Sequence, residues 1–260
     1  MLLLLFVLLA GCASPSLVAT ATPTATPFPT VTSTPSYQPF APLLATSMAV
    51  GPVYVTGDQD VPETALEIAG ILLAEMLQHR PDIGVRLRMY GAFTVVASHN
   101  QTICDLPYFS DYPPAVCNLF GEGGAGGTLE HPITACDERN LLKEPDDPYK
   151  RGSSPVGQNI CVHELAHTIM DVGLTQADRN RIQARYQAVL HENRWSGDFA
   201  LTNALEFWAV MSQFYFWAGP NRPYAPSVNH IANGPDALKK YDPVTFALLD
   251  SIYQGSVDLR

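Results

Sequence analysis

Apolar positions in this chain follow two different periods, and the change from one to the other divides it roughly in half. Val53-Tyr54-Val55-Thr56, closed by Gly57-Asp58, predicts a strand. Pro62 opens a helix to about His79, with Leu66, Ala69, Ile71, Leu72, Leu73, Met76 and Leu77 apolar, and Arg80-Pro81-Asp82 breaks it. Val85-Arg86-Leu87-Arg88-Met89 alternates strictly and predicts a half-buried strand; Thr94-Val95-Val96-Ala97 predicts another. From Asn100 to Pro155 the pattern is irregular, rich in Cys and Pro. Its run Gly121-Glu122-Gly123-Gly124-Ala125-Gly126-Gly127 lacks the Gly-Lys-Ser/Thr of a phosphate loop and reads as a mobile surface loop. Helical periodicity takes over at about 155–172, 176–192, 202–217 and 243–253, with Gly173, Gly219 and Gly255 as stops. Thr175-x-x-Asp178 predicts a capping box, and Asp242-Pro243 an N-cap followed by a first-turn proline. A strand–helix–strand part followed by a helical half predicts an α+β fold.

Composition changes this picture mainly at the ends. With 260 residues, 47% of them hydrophobic, there is material for one well-buried core. The formal net charge of −10 repels phosphate backbones, so nucleic acid is not an expected partner. Met1 is followed by the apolar run Leu2 to Leu9, too short to span a bilayer, and then by Ala10-Gly11-Cys12. Small residues ahead of a cysteine resemble the lipobox of bacterial lipoproteins, although no Lys or Arg precedes the apolar run. The resemblance implies a signal peptide over 1–11, a lipid on Cys12 and an extracytoplasmic protein anchored to the cell membrane. Residues 12–45 carry the Thr-Pro alternation of an extended tether, Ala21-Thr22-Pro23-Thr24-Ala25-Thr26-Pro27, which has too little apolar surface to offset the entropy of ordering. The folded domain is expected over 46–260, as a monomer. Cys104, Cys117, Cys136 and Cys161 remain for disulfides in an oxidising compartment. Three pairings are open, and Cys104–Cys117 with Cys136–Cys161 closes the most local loops.

Chemistry concentrates in Cys161-Val162-His163-Glu164-Leu165-Ala166-His167. Two histidines four apart on a helix share a face, so both imidazoles can converge on one Zn²⁺. Glu164 can reach a water at such an ion and act as general base without being a ligand. Ile160, Val162, Leu165, Ala166, Ile169 and Met170 imply that this helix is buried, and buried histidines beside a carboxylate need partners or a metal. A third ligand is expected from Glu206, the only charged residue between Asn203 and Trp217. His191, Glu192, Asp198 and His230 are weaker candidates, each in a polar or loop-like stretch. Phe207, Trp208, Phe214, Phe216 and Trp217 read as core packing of the Glu206 helix.

A His-Glu-x-x-His helix followed some forty residues later by a Glu on a second helix resembles the gluzincin class of zincin metallopeptidases. Met170 and Gly173 stand where a metzincin would need Gly and His. The aromatic Glu206-Phe207-Trp208-Ala209 helix is more similar to the peptidase domain of anthrax lethal factor than to thermolysin. This resemblance, specific over about 160–217, implies zinc bound by His163, His167 and Glu206, with Glu164 as base. It also implies Asp171 as an orienting partner of a ligating histidine, and a polypeptide substrate. Phe199 stands where lethal-factor-like enzymes carry an oxyanion-stabilising tyrosine, leaving Tyr215, Tyr224, His230 or Tyr241 for that role. Two other readings follow from the same residues: a zinc-containing surface module without turnover, and a motif that holds no metal.

Overall fold

The computed structural model describes residues 43–111, 123–144, 158–218 and 234–255. The leader, the Thr/Pro tether, Cys117, Gly219, Tyr224 and His230 lie outside them. Among the described residues the strands are β1 (Thr46–Val50), β2 (Val53–Gly57), β3 (Phe93–Ala97), β4 (Gly124–Ala125) and β5 (Ile133–Asp137). They form one sheet in the order β1-β2-β3-β5-β4, with β2, β3 and β5 parallel and the two edge strands antiparallel. The helices are α1 (Glu63–Leu77), α2 (Pro81–Met89), α3 (Glu138–Leu142), α4 (Ile160–Thr168), α5 (Gln176–His191), α6 (Ala204–Tyr215), α7 (Pro235–Tyr241) and α8 (Pro243–Tyr253). The fold is α+β, and no described helix is long and apolar enough to cross a membrane.

Both faces of the central strands are covered, which is why β3 and β5 are buried at every position. On one face Phe93, Val95, Ala97, Ile133 and Ala135 pack against Ile103, Leu106 and Phe109, a layer supplied by the chain after β3. On the other, Thr94 and Thr134 meet Leu73 of α1, Leu87 of α2, and Leu165 and Thr168 of α4. Cys136 of β5 is disulfide-bonded to Cys161 of α4, the expected local pairing, and ties that helix to the sheet. Cys104 is also disulfide-bonded.

Three expectations need correction. Val85–Met89 is not a strand but the end of α2, whose buried residues Ile83, Gly84 and Leu87 recur at helical spacing. Pro81 starts this helix at its first turn instead of merely ending α1. Asp82 and Arg86, one turn apart, form an ion pair on its outer face at 2.9 Å, and Arg86 also donates to the Gly173 carbonyl. The glycine run is not a loop throughout, because Gly124–Ala125 is the edge strand β4. Trp217 is 63% exposed and Phe216 only half-buried, whereas Phe207, Trp208 and Phe214 do form core.

Both expected N-caps are present, although the Asp178 carboxylate accepts from the Thr175 hydroxyl and not from its backbone N–H as a full capping box requires. Thr175 accepts from the Asp178 N–H at the start of α5, and Asp242 accepts from the Thr245 N–H at the start of α8. The helix carrying His163 runs from Ile160 to Thr168 and ends in a single π-turn, Ile169–Gly173. That turn packs on α2, and a Cβ at Gly173 would lie 2.6 Å from Ile83.

Candidate metal centre

Two helices bring the predicted residues together, and each is fixed at its N-terminus by a side-chain cap. Asn159 accepts from the Val162 N–H to start α4, and Asn203 accepts from the Glu206 N–H at 2.9 Å to start α6. The helices pack against one another, and the Trp208 indole of α6 donates to the Ala166 carbonyl of α4 at 3.0 Å. Glu206 therefore enters the site from the first turn of α6, two residues before that anchor.

His163 Nε2 lies 3.0 Å from Glu206 Oε2 and 3.1 Å from His167 Nε2, and His167 Nε2 lies 3.6 Å from the same Glu206 oxygen. Donors held about 2.0–2.1 Å from one ion at tetrahedral angles stand about 3.3 Å apart, so the triangle has the size of a zinc face. Of the weaker candidates, Glu192 pairs with Arg185 and Arg194, and Asp198 caps the Ala200 N–H. Neither these nor His191 joins the group of ligating atoms.

Hydrogen bonding on the far side of His163 decides what its Nε2 can do. The Gln213 amide donates to the Asn159 carbonyl at 2.9 Å, so its Oε1 faces His163 Nδ1 at 3.2 Å. That oxygen is an acceptor, and Nδ1 must carry the proton. In the neutral imidazole Nε2 is then a lone pair, directed at a carboxylate oxygen and a second imidazole. Three electron-rich atoms facing one another then need a proton or a metal ion between them. Gln213 was not singled out in the sequence, although its place seven residues after Glu206 on an apolar helix puts both on one face.

The charges respond accordingly. Burial works against a charged His163, but the Glu206 and Glu164 carboxylates outweigh it and raise the imidazole pKa. Burial would likewise raise Glu206, yet the two histidines hold it at about 2. Glu164 is raised, because burial outweighs the pull of His163 and His167 and the hydrogen bond from the Gly126 N–H. Asp171 also lines the cleft and is raised by burial, against the attraction of His167 and Arg179. It acts on His167 through space, and the orienting contact to a histidine comes instead from Gln213.

The cleft has a volume of about 420 Å³ and is lined by His163, Glu164, His167, Glu206, Phe199, Gly124 of β4 and the glycines just after it, among others. Gly124 would place a Cβ 2.6 Å from the Glu164 Cγ, and a Cβ on Gly126 would overlap that of His167. The Gly127 N–H donates to Thr168 Oγ1 at 2.7 Å. These glycines let β4 run directly along the helix, a close approach that only absent side chains permit. Tyr215 and Tyr241 do not line the cleft: the first donates to Asp250, and the second accepts from the Trp195 N–H. Compared with known protein families and with curated proteins, the chain matches none, so its reading rests on this geometry.

Proposed function

We propose that the protein is a zinc-dependent metallopeptidase of gluzincin type with a zincin-like fold, exported and held at the membrane by lipid on Cys12. The observation that carries this reading is the convergence of His163 Nε2, His167 Nε2 and a Glu206 oxygen, with the His163 tautomer set by Gln213. Two imidazoles and a carboxylate suit zinc and leave one of four positions for water or substrate. When bound, the ion lowers the pKa of water toward about 7 and polarises a carbonyl. Glu164 lines the same cleft outside the ligating triangle, and its burial favours holding a proton. Its role is to take the proton of the attacking water and return it to the leaving amine. The Gly126 N–H fixes that carboxylate from the side.

A polypeptide is the substrate that best fits the surroundings. β4 lies at the edge of the sheet beside Glu164, and an extended chain can add to such an edge by main-chain hydrogen bonds. Phe199, 44% exposed, stands at the mouth 6.4 Å from the His163 ring and would meet an apolar side chain of that substrate.

A zinc-binding surface module without turnover is favoured by one observation: Phe199 has no hydroxyl to steady an oxyanion, and of the other candidates among the described residues Tyr215 and Tyr241 are engaged elsewhere. Zinc content and cleavage of a broad peptide library, measured together on the parent and Glu164→Gln, separate the readings. Peptidase activity requires near-stoichiometric zinc in both and cleavage at least about 100-fold slower in the variant. Equal cleavage by both removes Glu164 as the base. Zinc in both with no cleavage supports the module.

A further inference from the structure

Parallel pairing of β3 with β5 brings a second set of ligating side chains to one end of the sheet. Ala97 is in register with Asp137, so His99 emerges two residues beyond β3 and Glu138 one residue beyond β5. The short helix α3 then ends at Lys143, whose left-handed backbone (φ 59°) turns the chain back at Glu144. One donor atom from each of His99, Glu138 and Glu144 lies within 4.8 Å of the others, and His99 Nδ1 contacts Glu144 Oε2 at 3.0 Å.

Glu138 makes this more than a polar surface cluster. It is 4% exposed, and its carboxylate takes a hydrogen bond from the His99 backbone N–H. Its Oε2 is buried with no hydrogen-bond partner. A buried carboxylate oxygen of this kind needs a donor or a cation. The charges acting on it are Glu144, His99 and Asp137, and that last carboxylate is taken up by Arg139 at 2.5 Å. Two carboxylates and one imidazole thus meet, and His99 is the one basic group among the charges that act on Glu138.

We propose that His99, Glu138 and Glu144 form a second metal site, for a divalent cation of the zinc–manganese class, at the carboxyl ends of β3 and β5. An imidazole with two carboxylates selects such ions over calcium, which takes oxygen ligands in greater number. The ion would clamp the ends of adjacent strands on the side from which β5 continues into α3. This site does not depend on the cleft, and its test keeps the two apart.

The tag-free chain is loaded with Zn²⁺, desalted and assayed for metal per chain, alongside Glu138→Gln, His99→Asn and the double variant His163→Ala/His167→Ala. Expected are two equivalents in the parent, one in each of the three variants, and none when Glu138→Gln is added to the double variant. His99 is exposed, so its variant folds as the parent does, checked by a melt in chelator. Should the cleft bind no metal, the parent holds one equivalent and Glu138→Gln none, which still supports the second site. Glu138→Gln and His99→Asn with the parent's stoichiometry overturn it, and Glu138 is then simply a neutral buried acid. A repeat with Mn²⁺ follows the same pattern, and Ca²⁺ is not retained.

Discussion

Replacing Gln213 probes the centre without touching a ligating atom. Gln213 is fully buried, accepts from His163 Nδ1 and from the Gln158 amide at 3.3 Å, and donates to the Asn159 carbonyl. Gln213→Leu keeps the volume roughly constant and removes all three contacts. His163 then loses the acceptor that keeps its proton on Nδ1, and the ring is free to present N–H rather than a lone pair to the ion. Loss of such an outer hydrogen bond costs about 10- to 100-fold in metal affinity, or about 1.4–2.7 kcal/mol. The metal-free fold is weakened separately, by about 1–3 kcal/mol for each buried group left without a partner. Gln213→Glu retains an acceptor toward His163 but sets a carboxylate oxygen against the Asn159 carbonyl, so the metal-free fold is weakened while zinc affinity stays at or above the parent's. Competition against a chromophoric chelator at neutral pH measures affinity, and chemical denaturation in excess chelator measures the fold. Parent and Gln213→Leu binding zinc within about twofold of each other would refute the tautomer argument.

Three further outcomes follow from the same contacts. Gly126→Ala puts a methyl group into the His167 side chain, so β4 or the histidine must move. A cost of about 1–3 kcal/mol in stability is expected together with weaker zinc binding, both read by melts with and without zinc. In the metal-free protein the raised pKa of His163 gives stability present below its ordinary value of about 6.5 and lost as pH rises through the folded value. Glu206, held at about 2, gives stability present above the ordinary carboxylate range and lost as pH falls toward that value. Melting temperature in chelator should therefore fall on both sides, and Glu206→Gln should flatten both limbs; superimposable profiles refute the pairing. Asp242, fully buried, accepts from Arg185, the Trp195 indole, and the Thr245 N–H and hydroxyl. Asp242→Ala leaves Arg185 partly uncompensated in the core and should cost about 3–5 kcal/mol in denaturant titration, with zinc stoichiometry unchanged.

Local signals carried the helical half of this chain. His163 and His167 share a face because four residues make about one helical turn. The lone charge of Glu206 on an apolar helix singled it out because an isolated buried carboxylate is costly. Caps at Thr175 and Asp242 were readable because a capping side chain bonds the backbone only two or three residues on. Other features depended on neighbours distant in sequence. Val85–Met89 alternates like a strand, yet Arg86 has its partners at Asp82 and Gly173, and the second of these only tertiary packing supplies. β5, Ile133–Asp137, shows no alternation because helices cover one face and Ile103–Phe109 the other. Gly124 and Gly126 looked like loop residues because their one requirement, room for Glu164 and His167, is set by a helix about forty residues away. Gln213 was silent for the same reason: an amide on an apolar helix has no fixed meaning until folding puts an imidazole against its oxygen and a carbonyl against its nitrogen. Residue type and spacing determined which side chains could bind an ion. Tertiary packing alone decided which lone pairs face one another, since that depends on distances no local pattern encodes.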